Sequence, residues 1–167
     1  MKITTLEMEE CLARYFSYRR NLVIPNVSWG FNIHECDLLV VTKSGYLIEV
    51  EIKISKSDLK ADMKKEHNHH DHYNRVKELY FAMPENLAED KECIDLVPEN
   101  AGIILVSKWK PNWHKDLFVQ ARTIRKSKVN KAAGKLYDNE KYQLARLGTM
   151  RIWSLKKKII KITSHEN

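Results

Sequence analysis

The stretch "IEVEIKIS", residues 48–55, alternates without interruption. Ile48, Val50, Ile52 and Ile54 fall on one side of an extended chain, and Glu49, Glu51, Lys53 and Ser55 on the other. Period-two alternation of this kind predicts a β-strand with one apolar face. The apolar row needs only a core to explain it. The opposite row places two carboxylates and a lysine side by side, and the segment before it decides what stands against them.

That segment is "CDLLVVTKSGYL", residues 36–47. With Lys43-Ser44-Gly45 as a three-residue loop, Gly45 supplies the left-handed position such loops require. Thr42 then faces Tyr46, and paired residue numbers sum to 88. Asp37 lands opposite Glu51, Glu35 opposite Lys53, and Leu39 opposite Glu49. Cys36, Leu38 and Val40 share the apolar face. Like charges set directly across two strands destabilise a sheet. Asp37 against Glu51 therefore calls for compensation, from Lys53 in part and from a hard divalent cation more fully.

Working outward, Thr4-x-x-Glu7 reads as a capping box opening a helix over 5–20. Its apolar face carries Met8, Leu12, Tyr15 and Phe16, and Glu9 borders that face while Glu7 and Glu10 turn away. "NLVIPNVSW" reads as a first strand with Pro25 marking an edge. A helix is expected over 56–75, capped by Ser55 or Ser57. "ELYFAMP" and "AGIILVS" read as buried strands separated by a short helix in "AEDKECIDLVP". "LFVQART" reads as an edge strand. Asp138–Leu147 reads as a helix with Asp138 as N-cap and Gly148 as C-cap, and "TMRIWSLKKKIIKI" fits either a helix or a strand. The order α-β-β-β-α-β-α-β followed by a basic tail predicts an α/β fold with a mixed central sheet. The 167 residues suit one domain, a core over about 1–108 and a basic helical C-terminal extension over about 109–167.

Charge is unevenly distributed. Residues 1–100 hold 13 Lys/Arg against 18 Asp/Glu, whereas residues 101–167 hold 16 against 4, for a net +7. An acidic cluster in a chain with a basic surface suits a polyanion partner and a metal ion. The candidate phosphate contacts are Arg122, Arg125, Lys126, Lys128 and Lys131, with a second run at Lys156, Lys157, Lys158 and Lys161 beside Trp153. Trp109 and Trp113 flank Pro111 and suit either core packing or base stacking. His67, His70 and Asp71 could form a zinc site on a helix, though a polar helix end explains them as well. Cys11, Cys36 and Cys93 are too few and too scattered for a disulfide framework and read as reduced and buried. No apolar run approaches a membrane span and "MKITTLEMEE" lacks a signal peptide's apolar stretch, so a cytoplasmic protein without a membrane partner is expected. A homodimer is compatible with the sequence.

Asp37 with Glu51-Ile52-Lys53 resembles the PD-(D/E)xK nuclease superfamily, whose core runs α-β-β-β-α-β. The longer stretch from "VEIKISKSDLKADMKK" through "YNRVKELYFAMPENL" resembles MmcB-type DNA-repair proteins and related phage or mobile-element proteins. The residue before Asp37 is Cys36 rather than the superfamily's proline. The resemblance implies a restriction-endonuclease-like fold and Mg²⁺- or Mn²⁺-dependent hydrolysis of DNA phosphodiesters, without an organic cofactor. Asp37 and Glu51 would hold the metal, Lys53 would orient or deprotonate the attacking water, and Glu9 would add a carboxylate from the first helix. Glu35 and Glu49 share the acidic face and could hold a second ion or serve as a surface ion-pair network. Asp58, Asp62 and Lys64 follow on the next helix. A noncatalytic nucleic-acid-binding protein of the same fold is the first alternative, and a small metal- or partner-binding domain the second.

Overall fold

The computed structural model describes residues 2–27, 35–64, 75–112 and 116–164. The histidine run 67–72 and Trp113 lie outside these residues. Five helices, α1 (Thr5–Tyr15), α2 (Lys56–Lys64), α3 (Glu85–Ala88), α4 (Lys91–Leu96) and α5 (Asp138–Ser164), accompany six strands among the described residues. The strands are β1 (Leu22–Val27), β2 (Cys36–Val41), β3 (Leu47–Ile52), β4 (Val76–Pro84), β5 (Gly102–Trp109) and β6 (Phe118–Arg125). They form one sheet in sequential order. β3–β4 and β4–β5 are parallel and the other neighbours antiparallel, so the sheet is mixed. The parallel pairs need crossovers, supplied by α2 and by α3 with α4.

The hairpin follows its expected register. Leu38↔Val50, Leu39↔Glu49, Val40↔Ile48 and Val41↔Leu47 all sum to 88. Gly45 has φ +89, and its N–H donates to the Thr42 carbonyl at 2.8 Å. α1 opens on the expected capping box: the Glu7 carboxylate accepts from the Thr4 N–H at 2.8 Å, and Thr4 Oγ1 accepts from the Glu7 N–H. The helix stops at Tyr15 rather than residue 20. Ser17 turns left-handed at φ 55 and Asn21 Nδ2 donates to the Phe16 carbonyl, which satisfies a group that a longer helix would have used.

The sheet is covered on both faces, which corrects the expectation of one apolar and one polar face. Met8, Cys11 and Leu12 of α1 pack on Leu38, Val50, Ile52, Tyr80, Ala82, Ile104 and Val106. On the other side, Leu39, Val41 and Leu47 meet Leu136 and Leu144, while Leu79, Phe81, Met83, Ile103 and Leu105 meet Leu59, Cys93 and Val97. Cys36 joins the cluster with Leu136 and Leu144 rather than the one beneath α1. All three cysteines are buried and free. Gly102 is needed for packing: a Cβ there would lie 2.3 Å from the Tyr80 ring.

In the last third the edge strand is as expected and the helix is longer than the stretch to Leu147. β6 completes the sheet as an edge, and Leu136 and Leu144 enter the core, so packing does not stop at residue 108. α5 runs through Gly148 to Ser164, so Gly148 is not a cap. Asp138 is its first residue, and the Glu140 carboxylate accepts from the Tyr137 N–H at 2.7 Å. The "TMRIWSLKKKIIKI" segment is helical throughout. No described helix is long and apolar enough to cross a membrane.

Candidate active site

The acidic row of β3 lies between the two apolar clusters on the helix-covered face that opposes α1. Glu49 pairs across with Leu79, and Glu51 with Phe81. Glu49 is 6% exposed and Lys53 is 5% exposed, so this row is interior rather than solvated. The Lys53 N–H continues the ladder by donating to the Ala82 carbonyl at 2.9 Å, which fixes the start of its side chain against β4. Its ammonium lies 2.9 Å from Glu51 Oε2 and 3.3 Å from Asp62 Oδ1.

Asp62 is the residue whose role sequence reasoning left open. It is 6% exposed and comes from α2, where Leu59 and Asp62 sit three residues apart on one helical face. Leu59 packs into the core, and Asp62 meets Lys53. Asp58, by contrast, serves the helix start. Its N–H donates to Ser55 Oγ at 3.1 Å and its carboxylate accepts from the Ile54 N–H. Ser55, not Ser57, is thereby the cap.

The regular β2–β3 ladder reaches Leu38↔Val50, and one more step of the same register puts Asp37 opposite Glu51. There the Asp37 side chain takes over from the backbone: Oδ2 accepts from the Ile52 N–H at 2.7 Å. One carboxylate oxygen of Asp37 thus anchors β3. Glu9 projects from α1 toward the end of β1. Asn26, left-handed at φ 53, donates weakly to Glu9 Oε1 at 3.5 Å, and the Asp37 charge reaches Glu9. Glu7 and Glu10 turn elsewhere, to Lys108 and Arg14. Glu35 is exposed just before β2.

Electrostatics mark the row as under-neutralised. Burial first, then the Glu51 and Asp62 charges, push the Glu49 carboxyl up to about 8. Burial likewise pushes Glu51 up to about 7; Lys53 opposes this while Asp37 adds to it. Burial acts to lower the Lys53 pKa, but Glu51, Asp62 and Asp37 outweigh it, so the ammonium is held protonated. Glu9 is raised, by burial and then, more weakly, by Asp37. One lysine therefore faces more carboxylates than it can neutralise.

Among the described residues no three His, Cys, Asp or Glu side chains form a ready cation cage. Mg²⁺ does not demand one. It keeps waters and is commonly held by one or two carboxylates plus substrate phosphate oxygens. Asp37 and Glu51, opposed across β2 and β3, fit that donor set.

The basic candidates divide. Arg125 is structural: its guanidinium donates to the carbonyls of Ala101, Val97 and Pro98 at 2.9, 3.0 and 2.8 Å. Those donors hold the end of α4 and the following turn, so the side chain has a structural use beside the phosphate contact expected of it. Arg122 pairs with Glu85 at 2.5 Å. Lys126, Lys128 and Lys131 are exposed on a strap crossing the amino ends of the central strands. The Lys128 N–H donates to Asn100, that of Asn130 to Lys77, and that of Leu136 to Gly45. Asp37, Glu51 and Lys53 occupy the other end of β3. At about 3.3 Å per residue, strap and acidic row are roughly 13–20 Å apart. Trp109 is half exposed and lies against Phe118 with ring centroids 5.8 Å apart.

The family model MmcB-like, described as DNA repair protein MmcB-like, matches residues 3–158. No curated protein matches the chain. A solved structure described as SPO1766, a protein of unknown function from Silicibacter pomeroyi, aligns with TM-score 0.56 and 13% identity. The alignment covers 89% of this chain and 86% of that one, and at such identity it speaks to the fold alone.

Proposed function

Since the chain belongs to the MmcB-like DNA repair family, its function is DNA-related, and from that premise we propose that the acidic row of β3 is the centre of a divalent-metal-dependent deoxyribonuclease of the PD-(D/E)xK type. The observation that carries this reading is the buried Lys53 ammonium, 2.9 Å from Glu51 and on the strand that faces Asp37. A structural ion pair needs one carboxylate. Here Asp37, Glu49, Glu51 and Asp62 all act on the same small volume.

In this reading Asp37 and Glu51 would hold Mg²⁺ or Mn²⁺. When bound, the ion supplies a more acidic water and offsets charge on the reacting phosphate. Lys53 stays protonated, so it donates. It positions the attacking water and stabilises the extra negative charge as the phosphorus gains a fifth oxygen. This favours orientation over deprotonation as its role. Asp62 keeps the Lys53 side chain in place from behind. Glu9, on α1 across the sheet, is reached by the Asp37 charge and would be the additional carboxylate.

Lys126, Lys128 and Lys131 would engage the backbone away from the scissile bond. A separation of roughly 13–20 Å corresponds to about four to six base steps at 3.4 Å each. The strap would thus fix where a duplex lies rather than act on the reacting phosphate.

The test is cleavage of single-stranded, duplex and branched DNA with Mg²⁺, Mn²⁺ or chelator. Wild type should cut at least one form only with metal, and Asp37→Asn and Lys53→Met should not. If the wild type cuts none under any condition yet binds DNA, the noncatalytic alternative holds. If Lys53→Met cuts as well as wild type, the centre lies elsewhere.

A further inference from the structure

Among the described residues, Arg151 of α5 donates to the Asn26 carbonyl. The following 13 residues, 152–164, are all exposed. At 1.5 Å per residue they form a helical arm about 20 Å long. Ile152, Trp153, Leu155, Ile159, Ile160 and Ile162 on this arm are each more than half exposed. Isolated exposed apolar residues need no explanation, but a contiguous set of six marks an interaction surface.

At 100° per residue these six side chains span an arc of about 180°. The remaining arc carries Arg151, Lys157, Lys158 and Lys161 with Ser154 and Ser164, and residues 150–164 contain no acidic residue. Lys156 falls inside the apolar half. Its ammonium sits 5.1 Å from the centre of the Trp153 ring, so its stem covers apolar surface while its charge can reach toward an interface.

We propose that this arm lies on the surface of an anionic lipid bilayer, apolar half inward and lysines against the headgroups. No membrane span is needed for this. Two features select lipid over other occupants. A second copy docked along the Ile152–Leu155–Ile159–Ile162 seam would bring Arg151, Lys156 and Lys158 against the same cations, and would leave Trp153 and Ile160 in water. A nucleic acid would satisfy the lysines and leave all six apolar side chains exposed. Only a surface both apolar and negative matches both arcs. The proposal does not depend on the nuclease reading, because none of these residues belongs to the acidic row.

The test is co-sedimentation of the full chain with vesicles of phosphatidylcholine alone and of phosphatidylcholine mixed equally with phosphatidylglycerol. Trp153 emission is read as the difference from Trp153→Phe. The mixed vesicles should bind at least tenfold more strongly than the neutral ones, with a blue shift at Trp153. The Ile159→Asp/Ile162→Asp and Lys157→Gln/Lys158→Gln/Lys161→Gln variants should each lose at least tenfold, with circular dichroism confirming that the fold is kept. Absence of binding to mixed vesicles at low salt overturns the proposal. So does binding that Ile159→Asp/Ile162→Asp leaves unchanged, which would be adsorption by charge alone. A solution mass showing a dimer that Ile159→Asp/Ile162→Asp dissociates would overturn it in favour of a second copy.

Discussion

Replacing Glu49 with glutamine should make the metal-free protein more stable at alkaline pH and leave it unchanged near pH 4. The Glu49 carboxyl is pushed from 4.5 up to about 8, chiefly by burial and then by Glu51 and Asp62. In the folded state it therefore holds its proton over a range where the unfolded chain has lost it. Stability from this group is complete below about pH 4.5 and declines as pH rises toward 8. Each tenfold gain in proton affinity on folding corresponds to about 1.4 kcal/mol, which sets a ceiling near 5 kcal/mol. Glu51, up to about 7, shares the same repulsion, so the two penalties overlap. The expected gain at pH 8.5 is therefore about 2 kcal/mol, or roughly 4–8 °C in Tm for a domain of this size. Glutamine keeps the shape of the protonated acid, and Glu49 makes no hydrogen bond to another described side chain that the change would remove. The assay is urea and thermal unfolding from pH 4 to 9 in chelator, repeated with Mn²⁺. Wild type should lose stability with rising pH more steeply than Glu49→Gln, and Mn²⁺ should narrow the gap by offsetting the carboxylates. Parallel pH profiles, or a variant less stable than wild type at pH 8.5, would refute the reasoning.

Lys53→Ala should cost about 3 kcal/mol in addition to activity, because it strands Glu51 and Asp62 in the interior, and denaturant midpoints at pH 7 would show it. Lys53→Met preserves volume but strands the same acids, so its midpoint should also fall. Calorimetry should show Mn²⁺ binding to wild type and at least tenfold weaker binding to Asp37→Asn; equal affinities would remove Asp37 from the proposed ligand set. Arg125→Ala should lower stability by about 2 kcal/mol through the loss of three carbonyl contacts, and a neutral result would contradict its structural role. Lys126→Gln/Lys128→Gln/Lys131→Gln should flatten the salt dependence of DNA binding without moving the unfolding midpoint; an unchanged salt slope would exclude the strap from the interface.

The hairpin was legible because two local rules agreed on it. The Gly45 turn fixed the register, and period-two alternation fixed which residues share a face. The placement of Glu51 beside Lys53 followed from the same rules. The burial of that row did not. Period-two alternation reports that two faces differ, not that the polar one is open, and the helices covering it come from residues 56–64 and 138–164. The role of Asp62 was hidden for a related reason: a carboxylate on a polar helix has ordinary surface uses, and only the packing of Leu59 turns it inward. Arg125 sat within a basic run, where composition cannot separate a solvated cation from one that ties carbonyls. The extent of α5 was left open between helix and strand because Gly148 resembles a helix stop, and the helix in fact passes through it.

The strap and the acidic row occupy opposite ends of the same strands, and α5 starts near Gly45 at the strap end and reaches Asn26 beside Asp37, so its lysine-bearing arm leaves from the acidic end. In the proposed reading a polyanion would therefore meet cations at both ends of the strands, with the acidic row between them. A cation held there, as proposed, would offset the negative field of that row. If the proposed site holds, capture by the lysines would tolerate an empty site, whereas closure of the polyanion onto Glu51 and Lys53 would wait for the cation. Association and engagement would then separate in time, the first governed by monovalent salt and the second by the divalent ion.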